Sequence, residues 1–394
     1  MGRRSRCRRR LPHRVRCGRR SLPARTDRHE RQRPALHRAS REPTSGGHVS
    51  PVIPADDAGM ARAVAALEHG EVVAFPTETV YGLGAAAHDP RAVRRIFALK
   101  GRPSDHPLIV HLPAGADLAR WANPVPDVAR TVAEAFWPGP LTLILQRTDA
   151  VPDAVTGGQE TVALRVPDHP VAATLLSAFG DGIAAPSANR FGHVSPTRAD
   201  HVVREFDDPD LLILEGGASR IGLESTILDV TGPMPTILRP GAVTRAMLEA
   251  HLGRPVADAG PRADTPRTPG QRDSHYAPHA PTRLVPVSEL RTADCVASGS
   301  ALLLREAEPP VDETVTTFRL PHDAAAYAHG LYAALRSLDA HHPTEIVIER
   351  PPDDADWIAI LDRLTRASHP TGPARAPRWS EPPNVTSKEA KEEP

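Results

Sequence analysis

Cysteine is nearly absent: Cys7, Cys17 and Cys295 are the only three in 394 residues. Three thiols give no paired disulfide framework, and their spacing matches no zinc motif. A reducing cytoplasm is the simplest expected location. No apolar run approaches the length of a membrane span, and the N-terminal stretch has no apolar signal-peptide centre, so no membrane contact is expected. The P-loop pattern for phosphates and the G-x-S-x-G elbow of serine hydrolases are also missing. Lysine is scarce too. Lys100, Lys388 and Lys391 are the whole set, so a chain that uses arginine nearly everywhere carries one lysine in its first 387 positions.

Net charge is absent as well, with 48 Lys+Arg against 48 Asp+Glu, but the balance is uneven along the chain. Residues 1–41 are crowded with arginine against only Asp27 and Glu30, so everything after them is acidic overall. A basic arm of this kind, without apolar periodicity, is expected to be disordered alone. Residues 1–48 are read as such an arm, or as upstream sequence ahead of a true start at Val49. An acidic body argues against a general nucleic-acid coating surface.

What is present is an ordinary globular middle. The 40% apolar residues are concentrated there, while much of the proline (43 in all) lies at the ends. Periodicity predicts helices at 58–69, 91–99, 127–136, 171–179 and 245–251, the last capped by Thr244. Strands are expected at 72–75, 108–110, 141–145, 161–166, 183–185, 211–214, 225–229 and 236–238. Residues 254–282 are rich in Pro, Gly, Asp and Arg and read as a linker. Beyond it come strands at 283–287, 301–304, 315–320 and 345–348, and helices at 324–340 and 357–367. That alternation suggests a small α/β sandwich with a partly parallel sheet. The organisation expected is an arm (1–48), a catalytic α/β or α+β domain (49–253), a linker (254–282), an accessory α/β domain (283–370) and a tail (371–394).

Chemistry-bearing residues collect at the expected strand ends. Pro76-Thr-Glu-Thr-Val-Tyr-Gly-Leu-Gly84 sets three polar side chains after a strand, with glycines that allow close backbone approach. Gly82-x-Gly84-x-x-Ala87 is only a weak match to a dinucleotide fingerprint, because no clear helix opens at its third position. Lys100-Gly-Arg-Pro103 puts two cations at a helix end, where the dipole tolerates them. With His106 and His111 close by, the pair suggests an anion site rather than a solvated cap. Pro186-Ser-Ala-Asn189 and Ser195-Pro-Thr197 supply neutral donors, although such residues also dominate ordinary turns. Arg165 interrupts an apolar strand and therefore needs a partner, either a structural carboxylate or a ligand. His275 and Tyr276 fall in the linker, where they have no evident core to join. The prolines around His275 and His279 forbid a helix that would present both to a metal.

Together these segments resemble the YrdC-like domain of threonylcarbamoyl-AMP synthases. The stretches that carry the likeness are Phe75–Gly84, Lys100-x-Arg-Pro103 with Pro107–His111, Trp137–Thr142, Thr161–Pro167, Ala185–Asn189, Ser195–Thr197, Glu224–Thr226 and Leu238–Gly241. Pro269-Gly270, His275–Pro278 and residues 345–367 resemble the linker and C-terminal domain of the long, two-domain form, which is Rossmann-like. The resemblance implies a twisted mixed sheet enclosing a concave pocket. It also implies that L-threonine, bicarbonate and ATP combine to threonylcarbamoyl-AMP with release of pyrophosphate. The product would pass to the complex that modifies a tRNA adenosine beside the anticodon.

By the same resemblance Lys100 and Arg102 are catalytic. Arg102, His106, Thr161, Ser187, Asn189, Ser195, Arg239 and Tyr276 bind ATP, with Tyr276 closing over the site. Thr79, His111, Arg165, Ala185 and Ser225 bind threonine, Arg165 holding its carboxylate. Magnesium is expected only because ATP chemistry commonly uses it. His106 stands where family members commonly have asparagine, and imidazole cannot offer the amide's two donors and acceptor together. Two rival readings use the same surface: a non-catalytic double-stranded RNA or tRNA-binding module, and a carbamoyl-transferring relative. The second is disfavoured because no zinc-finger or acylphosphatase-like segment is present.

Overall fold

A computed structural model describes residues 50–259, 266–269, 275–290, 296–308 and 315–369. The arginine-rich arm, the tail, the three cysteines and parts of the linker lie outside the described residues. Two sheets organise what is described. The larger takes eleven strands: β1 (Val52–Pro54), β2 (Val73–Phe75), β3 (Gly82–Ala86), β4 (Ile109–His111), β5 (Leu141–Gln146), β6 (Thr161–Arg165), β7 (Ile183–Ala184), β8 (Leu212–Glu215), β9 (Thr226–Asp229), β10 (Thr236–Arg239) and β11 (Ala257–Asp258). Their order is β1-β8-β2-β3-β7-β4-β6-β5-β9-β10-β11, with parallel and antiparallel neighbours mixed.

The helices follow local chemistry. In α1 (Asp57–Glu68) Asp56 caps the first turn through Gly59 N at 2.8 Å, and Met60, Ala63, Ala66 and Leu67 form the buried stripe. In α2 (Pro90–Lys100) Asp89 caps, Pro90 starts and Gly101 ends the helix at φ 62°. That left-handed stop makes Lys100 the last helical residue and turns the chain toward Arg102. Next come α3 (Asp127–Phe136), a short α4 (Asp153–Thr156), α5 (Pro170–Phe179), α6 (Ala199–Glu205) and α7 (Arg245–Leu252).

The sequence reading treats residues 76–84 as a loop, but β3 begins at Gly82. A side chain at Gly84 would meet both Phe75 Cε1 and Ile183 Cγ2 at 2.6 Å. Glycine is therefore needed for packing between neighbouring strands, a requirement set by residues distant in sequence.

The smaller sheet contains β12 (Thr282–Val285), β13 (Ala301–Leu304), β14 (Thr316–Arg319) and β15 (Ile346–Glu349) in the order β12-β15-β13-β14. The expectation was a partly parallel sheet; every pairing in it is parallel. After the short α8 (Val287–Leu290), α9 (Ala324–Asp339) and α10 (Ile358–Ala367) pack on the strands through Leu331, Leu335, Ile360 and Leu364. The two central strands, β15 and β13, are buried throughout, as suits a parallel sheet, while the edge strand β14 is largely exposed. No helix among the described residues is long and apolar enough to cross a membrane.

Candidate active site

Strand register builds the pocket. β4 runs parallel to β6 so that His111 lies opposite Arg165. β7 pairs antiparallel with β4, and the chain leaving it is pinned by Ala185 N donating to Ile109 O at 2.9 Å. The polar loop after β2 is held against the loop after β7 by Leu83 N to Pro186 O and Tyr81 N to Pro196 O, both 2.8 Å. Segments far apart in sequence thus deliver side chains to one cavity. Its walls include Thr79, Arg102, His111, Arg165, Ala185, Ser187, Ser225, Arg239 and Tyr276.

One end of this cavity centres on Arg165. Its guanidinium donates to Glu78 Oε1 at 2.5 Å, Thr79 Oγ1 at 2.9 Å and Gly139 O at 3.2 Å. Both charges of the pair are buried, so the structural partner expected for this arginine is Glu78. Burial first, and then Arg165, hold the His111 imidazole down to about 3, so it is neutral at physiological pH. Ser225 completes this end, its hydroxyl 2.8 Å from that of Thr142.

The other end is cationic. Lys100 is buried; its ammonium donates to Ser187 O at 2.6 Å and also to Asn189 O. The surface position considered for this lysine is therefore ruled out. Burial, and then the neighbouring Arg102, push its pKa well below the lysine range. Arg102 bonds Pro107 O at 2.9 Å, and Arg239 bonds Ser225 O and Pro269 O at 3.0 Å each. His275 is driven well below the imidazole range by burial and then by Arg102, Lys100, Arg239 and Arg363. These four cations outnumber the carboxylates beside them, Glu224 and Asp362, so this end is suited to an anion. Among the described residues no group of His, Cys, Asp or Glu could hold a metal ion.

Some expected site residues stand back from the cavity wall. Asn189 turns its amide to Arg190 O and His193 O. Ser195 donates to Glu224 Oε1 at 2.6 Å. Thr161 opens β6, at the opposite end of that strand from Arg165. His106 packs edge-on against Phe191, 5.5 Å between ring centroids. Lys100 reaches the site through Ser187, which does line it.

The linker residues need a correction. His275 and Tyr276 do join a core: they are 6% and 1% exposed, and Tyr276 packs with Tyr332 and Leu331. Glu78, Glu224 and His275 were missed as site residues. A carboxylate directly beside the candidate binding residue Thr79 was the available signal for Glu78. Glu224 stood in a stretch that carries the family likeness, but its role depends on partners from residues 195, 332 and 363.

A family model described as "Telomere recombination", covering the Sua5, YciO and YrdC proteins, matches residues 65–241. A second, described as "Threonylcarbamoyl-AMP synthase, C-terminal domain", matches residues 243–369. The chain belongs to the threonylcarbamoyl-AMP synthase family. The threonylcarbamoyl-AMP synthase of Bacillus subtilis is 41% identical over 324 residues, which are 79% of this chain and 94% of that protein. That of Pyrococcus abyssi is 39% identical over 314 residues, 77% and 92% of the two chains. The solved structure of P. abyssi Sua5 complexed with L-threonine superposes with a TM-score of 0.74 at 35% identity, covering 81% of this chain and 98% of that one. The mixed sheet expected from the family resemblance is thus the sheet observed.

Proposed function

We propose that this chain makes L-threonylcarbamoyl-AMP from L-threonine, bicarbonate and ATP, releasing pyrophosphate. The observation that carries this is one cavity lined by buried cations at two places, Arg165 and the pair of Arg102 and Arg239, joined through the Arg239 bonds to Ser225. An amino-acid carboxylate fits the first, beside Thr79, Ser225 and neutral His111. A triphosphate fits the second, against Arg102, Arg239 and the Lys100-braced loop at Ser187.

With both substrates so placed, bicarbonate gives up hydroxide as carbon dioxide forms, the threonine nitrogen bonds its carbon, and the proton the nitrogen loses combines with that hydroxide as water. A carbamate oxygen then bonds the α-phosphorus while the bond to the β-phosphate oxygen breaks, and pyrophosphate leaves with that electron pair. No covalent enzyme intermediate is required. The protein's contribution is positioning and neutralisation of developing phosphate charge, as in other phosphoryl-group chemistry. Burial of His275 and Tyr276 keeps water from the carbamoyl adenylate, which hydrolyses readily. A neutral His111 fits its place beside Arg165: a second positive charge there would compete for the same carboxylate.

The RNA-binding alternative needs cations that a duplex can reach. Lys100, Arg102 and Arg239 are 3%, 7% and 3% exposed, which withdraws them from any such surface. Transfer of the product to a tRNA-modifying complex remains part of the proposal. Pyrophosphate release from ATP, followed with bicarbonate present, tests the reaction. It should require threonine, and equal release without threonine would sink the reading.

A further inference from the structure

Arg363 lies on α10, packed on the smaller sheet, yet among the described residues it is the largest fully buried side chain and points back to the pocket wall. Its Nε donates to Glu224 Oε2 at 2.8 Å and its Nη2 to Pro240 O at 2.9 Å. The guanidinium sits 5.3 Å from the centroid of the Tyr276 ring. Tyr276 also stacks on Tyr332 at 5.9 Å, and the Tyr332 hydroxyl donates to the same Glu224 Oε2 at 2.9 Å. The other oxygen of Glu224 accepts from Ser195 at 2.6 Å. One carboxylate therefore gathers a helix of the larger unit's neighbour, a second helix and a hydroxyl of the pocket loop.

Charge makes this arrangement specific. Glu224 is buried, and burial by itself would raise its pKa; Arg363, then Arg239 and the Ser195 bond, outweigh burial and hold the carboxyl below its ordinary value. A buried carboxylate without Arg363 would have to protonate or move, and either change would release Ser195. Arg363 also braces Pro240, the residue next to Arg239, whose guanidinium faces the cationic end of the cavity.

We infer that Arg363 is a positioning residue for the nucleotide end of the site, supplied by the C-terminal unit and acting through Glu224, Pro240 and Tyr276. This rests on the adenylate-forming reading. It assigns the C-terminal unit a part in ATP binding and none in threonine binding. Arg363→Lys keeps one charge but cannot reach Glu224 and Pro240 together as a planar fork does.

The test separates position from stability. In Arg363→Met, KM for ATP in the pyrophosphate assay should rise about 30-fold or more, with KM for threonine changed less than about threefold. Arg363→Lys should recover part of the ATP effect. The double variant Arg363→Met with Glu224→Gln removes both buried charges, so it should regain most of the lost thermal stability while KM for ATP stays high. A return of KM for ATP with Tm, or a lower Tm with neither KM altered, makes Arg363 merely structural and overturns the proposal. Should Arg363→Met fail to fold, Tyr332→Phe keeps the ring and removes one bond to Glu224. It should raise KM for ATP about fivefold and leave threonine unaffected; equal effects on both substrates overturn the proposal. Calorimetric binding of a non-hydrolysable ATP analogue needs no turnover. Wild type that binds the analogue but releases no threonine-dependent pyrophosphate fails the reaction and leaves the inference standing if Arg363→Met weakens that binding.

Discussion

In the larger sheet, strands end in buried polar groups: Thr77, Glu78 and Thr79 after β2, His111 on β4, Arg165 on β6, Ser225 before β9 and Arg239 on β10. In the smaller sheet β13 is Ala301-Leu302-Leu303-Leu304, wholly buried, and the helix across it presents Leu331, Leu335 and Leu338. The first arrangement spends stability on polar atoms that must each find a partner. The second accumulates apolar contact, and only a few side chains, Tyr332 and Arg363 among them, reach out of it toward the pocket. Buried polar groups and packing are thus divided between the two sheets, with Tyr332 and Arg363 bonding Glu224 of the cavity wall.

Substitution in each unit should separate these roles. Lys100→Ala removes the buried ammonium that organises Ser187 and Asn189 and supports the phosphate end. Loss of a preorganised charge-stabilising donor costs on the order of 10³-fold in rate. Threonine-dependent pyrophosphate release should therefore fall by about that factor or become undetectable, while circular dichroism shows the fold intact.

Leu331→Ala does the reverse. This side chain is fully buried under the smaller sheet. Its truncation should cost roughly 2–5 kcal/mol, seen as a lower denaturation midpoint. The activity of the molecules still folded at low temperature should change little, unless the shift reaches Arg363 or Tyr332. A loss as deep as that of Lys100→Ala would show that the two units do not divide function and packing as described.

The same division explains what could be read from the sequence. Helix α3 was legible from end to end, and β13 likewise, because each carries its apolar pattern within itself. The β3 strand was hidden: its glycines answer to Phe75 and Ile183, and no local pattern encodes a close approach. The short α6 went unread because it has only two turns and no side-chain cap. At the site, motif residues such as Thr79, Arg102, Arg165 and Arg239 do meet in one cavity, since strand ends concentrate them. The partnership of Arg165 with Glu78 and the reach of Arg363 to Glu224 depend on tertiary contact. Burial of Tyr276 depended on α9 and α10, which a reading of the linker alone could not supply.

Acid should weaken the larger unit. His111 is held down to about 3 and His201 to about 4, burial being the leading cause for each. Their unfolded values lie near 6.5, so below that pH the unfolded chain binds protons the folded one refuses, and stability falls with falling pH. Each of the two should contribute a loss of about 2 kcal/mol between pH 7 and pH 5. His279, raised by its bond to Asp339, works in the opposite sense, holding stability below pH 6.5. Denaturation midpoints from pH 8 to pH 5 should decline, and His201→Gln should flatten the decline. A midpoint that rises toward pH 5 would contradict the neutral, buried state of these rings.

The smallest effect is expected from an ion pair that matches the Arg165 pair in length. Arg220 lies 2.5 Å from Asp168, the separation of Arg165 from Glu78. The side chains of Arg220 and Asp168 are 68% and 53% exposed, whereas those of Arg165 and Glu78 are 4% and 1% exposed. Water already solvates the exposed charges, so removing one partner strands nothing. Arg220→Ala should alter stability by less than about 0.5 kcal/mol, and added salt should erase even that. The buried pair differs because neither charge has water to fall back on, and its removal leaves an uncompensated carboxylate. Equal distances with unequal consequences would show that burial, and not proximity, decides which arginines of this chain matter. A substantial loss of stability in Arg220→Ala would overturn that ranking.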